Sequence, residues 1–129
     1  MGSEFLNHLD CHLSDCESIW IIDSPLVYFS KYLDFLIKVP TGFETDLASV
    51  PRIPIIYACF GARAHHEAVL HDYLYRKNSV PIIPRGRADK VFLEAMKTRE
   101  KSRCVRWPMY AGVRAFGFTS YHKKTVFPD

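Results

Sequence analysis

The chain has 129 residues, 48% of them hydrophobic, and a formal charge of +3 from 17 Lys and Arg against 14 Asp and Glu. That is enough for one domain with a true core, and too little for a catalytic domain plus a separate binding domain. No apolar run reaches the roughly 18 residues that cross a bilayer, and no charged start leads into a signal-peptide core, so the sequence predicts a soluble, cytoplasmic protein.

The chain opens with Met1–Phe5, MGSEF, which reads as expression-vector sequence and is set aside from the fold. Residues 6–17 form a leader carrying His8, Cys11, His12 and Cys16. On a helix these four would share a stripe able to hold a soft metal, and the plainer alternative is a short amphipathic or poorly ordered segment. With Cys59 and Cys104 the chain has four cysteines, without the density or spacing of a disulfide scaffold, so free thiols are expected. Ser18–Ile22, Leu26–Ser30 and Phe35–Val39 are short runs rich in β-branched and aromatic residues. Lys31–Asp34 can close the second and third into an antiparallel hairpin.

Pro40 and Gly42 end the third strand and open TGFETDLASVPR, Thr41–Arg52. Thr45 or Asp46 can cap a helical turn at Leu47–Ser49 before Val50–Pro51 stops it. Ile53–Phe60 is apolar throughout apart from its proline, and reads as a buried irregular segment; exposed, it would be a membrane-docking surface.

Ala64–Arg76, AHHEAVLHDYLYR, organises the chain. At helical spacing Glu67, His71 and Tyr75 share one side. Lys77–Arg85 contains two prolines and separates this helix from a second, Gly86–Thr98, whose Phe92, Leu93 and Met96 lie on the side that includes Asp89. A carboxylate on an apolar face needs a partner, and His71 supplies one if the two helices run antiparallel. Glu100–Arg106 reads as a polar connection, and Trp107–Phe116 as a third helix with Pro108 in its first turn. The expected fold is α+β, a small antiparallel hairpin or sheet followed by three packed helices, with residues 18–118 as a single domain and 119–129 as a surface tail.

Four stretches carry a resemblance: Val39–Arg52, His71–Arg76, Ala88–Met96 and Met109–Gly117. In this order they resemble the hallmarks of an uncharacterised family of small proteins common in bacteriophages and prophages, a domain of unknown function. The resemblance implies a viral or prophage origin, and with the lack of a span or signal core noted above the expected location is the host cytoplasm. It says nothing of activity. A looser similarity joins His71, Asp72, Tyr75 and Asp89 to the His-Asp-x-x-Tyr helix and second-helix aspartate of phospholipases A2. That similarity implies His71 as the base, Asp89 as its orienting carboxylate and Asp72 as a Ca²⁺ ligand, with Tyr75 in support. The glycine-rich calcium loop of those enzymes has no counterpart before the helix.

Three functions follow. The first is a non-catalytic accessory protein that binds a host or virion protein, with Glu67, His71, Asp72, Arg76 and Asp89 as a polar network between helices. The second is an ester hydrolase acting on phospholipid or a membrane surface through His71 and Asp89, with Asp46, Glu67, Arg76 and Arg52 around them. The third is a nucleic-acid binder using Lys97, Arg99, Lys101, Arg103 and Arg106, against which stands the lack of a recognition helix or aromatic platform. Ser49 lacks a nucleophile elbow, His65, His66 and His122 read as surface histidines, and Cys59 reads as core.

Overall fold

The computed structural model describes residues 2–13, 19–45, 65–99, 103–119, 121–122 and 125–126. Six short strands come first, β1 (Glu4–Phe5), β2 (Cys11–Leu13), β3 (Trp20–Ile22), β4 (Leu26–Ser30), β5 (Phe35–Val39) and β6 (Glu44–Thr45). Three helices follow, α1 (His65–Leu74), α2 (Arg85–Thr98) and α3 (Arg103–Phe116), and a 3₁₀ turn at Gly117–Thr119. This is the α+β order expected.

The predicted hairpin is the centre of the first sheet, ordered β1-β4-β5 and antiparallel throughout. Its register runs from Leu26 opposite Val39 to Ser30 opposite Phe35. Lys31–Asp34 makes the turn, with Asp34 at φ 51°, a conformation its short polar side chain tolerates. Strand alternation sends Leu26, Tyr28, Ile37 and Val39 inward, all fully buried, and leaves Leu36 and Lys38 outside. The second sheet, ordered β2-β3-β6, is also antiparallel. Gly42 at φ 86° takes the bend that a side chain would resist, and so turns Phe43 into the core against Tyr73.

The inner face of β4 packs on α1 and α2. In α2 Ala88, Val91, Phe92, Ala95 and Met96 are completely buried, so helical periodicity and burial coincide. Each fully buried aliphatic or aromatic side chain of this size contributes roughly 1.5–3 kcal/mol of transfer free energy. Glu94, on the flank of α2, ties the hairpin down: it accepts from Tyr28 Oη (2.7 Å), Ser30 Oγ (2.8 Å) and the Tyr32 amide (2.9 Å).

Several expectations give way. Glu4–Phe5, set aside from the fold, pairs with β4, and the leader contributes β2 in place of a helix. A strand points Cys11 and His12 to opposite faces, unlike the shared stripe of a helix, and Cys16 lies outside the described residues; His12 pairs with Asp23, at 2.7 Å. Among the described residues no group of three or more His, Cys, Asp or Glu side chains is placed to hold a metal ion. Helix α3 begins at Arg103, so part of the expected connection is helical and Pro108 lies inside the helix. Burial of Met109 and Val113 offsets the interior proline, which by itself costs about 3 kcal/mol. The tail also docks. Tyr121 Oη donates to the Ile83 carbonyl (2.5 Å), the His122 amide to the Tyr75 carbonyl (2.7 Å), and Val126 is buried. Among the described residues no helix is long and apolar enough to cross a membrane.

Candidate functional site

The organising helix ends at Leu74, and Tyr75 and Arg76 follow it in a turn. Glu67 in the first turn of α1 meets Arg99 beyond the end of α2, with Arg99 Nε 3.0 Å from Glu67 Oε1. At the other end Tyr75 reaches Asp89, near the start of α2. Contacts at opposite ends make the two helices antiparallel, the geometry needed to bring His71 to Asp89.

His71 Nε2 lies 2.8 Å from Asp89 Oδ1, and both side chains are fully buried. The Tyr75 hydroxyl donates to the same carboxylate oxygen. On the other oxygen, Arg114 Nη1 of α3 donates at 3.0 Å, and Arg85 Nη1 stands 3.6 Å away. The imidazole lies in aromatic surroundings, its centroid 4.1 Å from the ring of Tyr75 and 4.7 Å from that of Phe92. Burial works to raise the Asp89 carboxyl, yet hydrogen bonding and charge from His71, with Tyr75 and Arg114, outweigh it and hold the group below the ordinary 3.8. Burial and the bond to Asp89 push the Tyr75 phenol upward, so it stays a donor.

Asp72, on the adjoining face, belongs to a second cluster. It accepts from Thr45 Oγ1 and from Arg76 Nη2 at 3.0 Å, and Arg76 also reaches the Glu44 carbonyl (3.1 Å) and the Thr125 carbonyl (3.4 Å). The Arg76 guanidinium lies over Phe43, 5.0 Å from its ring centre. These residues do not fit calcium. Ca²⁺ takes six to eight oxygens, whereas Asp72 is already neutralised by a buried cation bonded to its carboxylate.

The structure thus brings His71, Asp89 and Tyr75 together, places Asp72 and Arg76 beside them, and leaves Glu67 at the far end of α1. Asp46 and Arg52 lie outside the described residues, as do Ser49 and Cys59. Within the basic run, Arg99 turns toward buried Glu67. His66 is half-buried rather than a free surface histidine: its Nε2 accepts from the Leu9 amide at 2.9 Å. His122 is half-buried too, its ring stacked on Tyr121.

Sequence reasoning missed Arg85 and Arg114. Arg85 precedes Asp89 by four residues, a spacing that signals a helical ion pair, and Arg114 stands inside the quoted Met109–Gly117 motif. Gly117, at the end of that motif, lies directly against the Tyr75 hydroxyl, and a methyl group there would also come within 3.2 Å of Arg85 Nη1. Three of the four motifs therefore converge on one carboxylate.

Residues 20–113, most of the chain, match the family described as "Protein of unknown function (DUF1353)". The chain belongs to this family. No curated protein and no solved structure matches it. For this DUF1353 protein the matched region includes β3 to β6 and all of α1 and α2, hence both halves of the His71–Asp89 contact.

Proposed function

We propose that this DUF1353 protein is a non-catalytic accessory protein, encoded by a bacteriophage or prophage and acting in the host cytoplasm, that presents a rigid α+β body to a host or virion protein. Its His/Asp cluster holds the helices in place. The observation that carries this reading is the commitment of Asp89: inside the core its two oxygens take bonds from His71, Tyr75 and Arg114, and neither Asp89 nor His71 exposes any side-chain surface. A general base must come within hydrogen-bond reach of substrate or of a water, which full burial opposes. Buried polar clusters of this kind specify how helices pack. The phage origin is supported by the four motifs in order.

One observation favours a second function, a phospholipase A2-like hydrolase. His71, Tyr75 and Asp89 make the contacts with one another that such a dyad requires, the carboxylate holding one ring nitrogen so that the other takes a proton from water. The pairing of Asp72 with Arg76 opposes it.

Replacement of His71 by Ala separates the two. The scaffolding function predicts a large fall in Tm, and no cleavage of mixed-micelle phospholipid by wild type or variant, with or without calcium. Cleavage by wild type that is lost in His71→Ala at an unchanged Tm would establish the hydrolase instead.

A further inference from the structure

The loop that joins α1 to α2 is tied down along its main chain and turns two apolar side chains outward. Val80 N donates to Tyr73 Oη (3.0 Å), Ser79 Oγ to the Pro81 carbonyl (3.0 Å) and Tyr121 Oη to the Ile83 carbonyl (2.5 Å). Ser79 and Ile83 are buried, whereas Val80 and Ile82 are 62% and 65% exposed. A third such side chain comes to the same end of the molecule. Arg85 Nη1 donates to the Val113 and Arg114 carbonyls, at 3.0 Å each, which seats the end of α3 beside the start of α2, and Phe118 in the turn that follows is 62% exposed. Among the described residues these three are the most exposed of the large hydrophobic side chains. Apolar residues scattered singly over a surface are ordinary; three gathered at one pole mark a contact. The charge around them has one sign. Residues 73–88 hold Arg76, Lys77, Arg85 and Arg87, and residues 101–128 hold Lys101, Arg103, Arg106, Arg114, Lys123 and Lys124; neither stretch has an Asp or Glu. The carboxylates on either side of the first stretch, Asp72 and Asp89, are buried and paired with arginine. Lys77 and Arg87 are exposed, and α2 begins here with no side-chain cap and no acid in its first turn, so its dipole adds positive potential. Fluid lipid needs no shape fit to side chains standing on separate turns: its acyl boundary takes the apolar groups while its phosphates meet the cations.

We propose that this pole docks the protein on the surface of an anionic phospholipid bilayer, with Val80, Ile82 and Phe118 entering the boundary between headgroups and acyl chains and Lys77 and Arg87 meeting lipid phosphates. The protein then lies on the membrane without crossing it. This goes beyond the accessory function and uses no part of the His71–Asp89 contact; the fate of His71→Ala does not bear on it, so either can fail alone.

Two measurements test it. The full chain is sedimented with vesicles of phosphatidylcholine and phosphatidylglycerol in equal parts, and binding is expected to be about tenfold tighter than to vesicles of phosphatidylcholine alone. Val80→Ser combined with Ile82→Ser should weaken that binding by about tenfold at an unchanged Tm, and Lys77→Glu combined with Arg87→Glu should do the same. Trp107→Ser, at the opposite end of α3, should leave it as it is. Ile82→Trp then reads the contact without removing it, and decides the matter if the serine variant does not fold: its fluorescence should shift to the blue on the mixed vesicles, while that of the wild-type chain, from Trp20 and Trp107, should not. No binding to the mixed vesicles, equal binding to both kinds, binding that ignores the serine changes or falls as far with Trp107→Ser, or no blue shift in Ile82→Trp would each overturn the site. Binding to duplex DNA of random sequence that is lost in Lys77→Glu with Arg87→Glu, with none to vesicles, would assign the pole to nucleic acid and overturn the lipid. Dimers in analytical ultracentrifugation, abolished by Ile82→Asp, would assign it to a second copy and overturn the lipid as well.

Discussion

At Asp89, desolvation and pairing oppose one another, and pairing wins because three donors from two distant parts of the chain, the end of α1 and α3, converge on two oxygens. Removing a donor therefore strands charge in the interior. His71→Ala is expected to lower the unfolding free energy by about 3 kcal/mol in urea titrations. A loss near zero would mean that the pair contributes nothing to the fold. Gly117 sets a tighter condition. Its missing side chain leaves room for the Tyr75 hydroxyl, which is buried and bonded to Asp89 and so has nowhere to retreat. Gly117→Ala should destabilise by about 2 kcal/mol, and adding Tyr75→Phe should recover part of that loss, giving a non-additive double-mutant cycle. Strict additivity would contradict the close approach.

Elements differ in how plainly the sequence announces them. The strands β4 and β5 and the helix α2 were legible because each shows enough repeats of its period for one face to be apolar, and the contact of His71 with Asp89 followed from a carboxylate on such a face. The strands β1, β2 and β6 span two or three residues each, below the length at which alternation can be seen; their pairing is dictated by their neighbours. Pro108 misled differently, since proline favours a first turn and here sits within α3. The cluster at Asp89 was half legible: Arg114 depends on where a third helix lands, which no local spacing reveals. Glu94 is a similar case, a flank residue whose partners Tyr28, Ser30 and Tyr32 are distant in sequence. Burial and the bond to Glu94 push the Tyr28 phenol upward, so its hydroxyl stays a donor and needs an acceptor. Glu94→Ala should cost about 2 kcal/mol and loosen the hairpin, with faster amide exchange at Tyr32; unchanged exchange there would show that the hairpin holds its turn without α2.

Over the whole molecule, one contiguous cluster joins Ile22 and Phe43 of the second-sheet region, the inner face of the hairpin, all three helices and Val126. Thermal unfolding followed by far-UV circular dichroism and by tryptophan fluorescence should accordingly give coincident transitions; separated midpoints would divide the chain into independent units. Acid adds a global test. Asp89 releases its proton at a lower pH when folded than when unfolded, so its stabilisation is present above the ordinary value of 3.8 and is lost as pH falls through the folded one. Urea midpoints should begin to drop as pH falls below about 5 and go on dropping below 3.8, and Asp89→Asn, less stable at neutral pH, should show a shallower drop. An equal slope in both would locate the acid sensitivity elsewhere. The docked tail has a practical side. The His122 amide grips the carbonyl of Tyr75, whose hydroxyl bonds Asp89, and the Val126 amide grips Asn78. A bulky fluorescent fusion or an optical-trap handle attached behind Val126 would load the carboxylate hub first, so tension applied at that end should register as loosening between the helices before any strand is peeled.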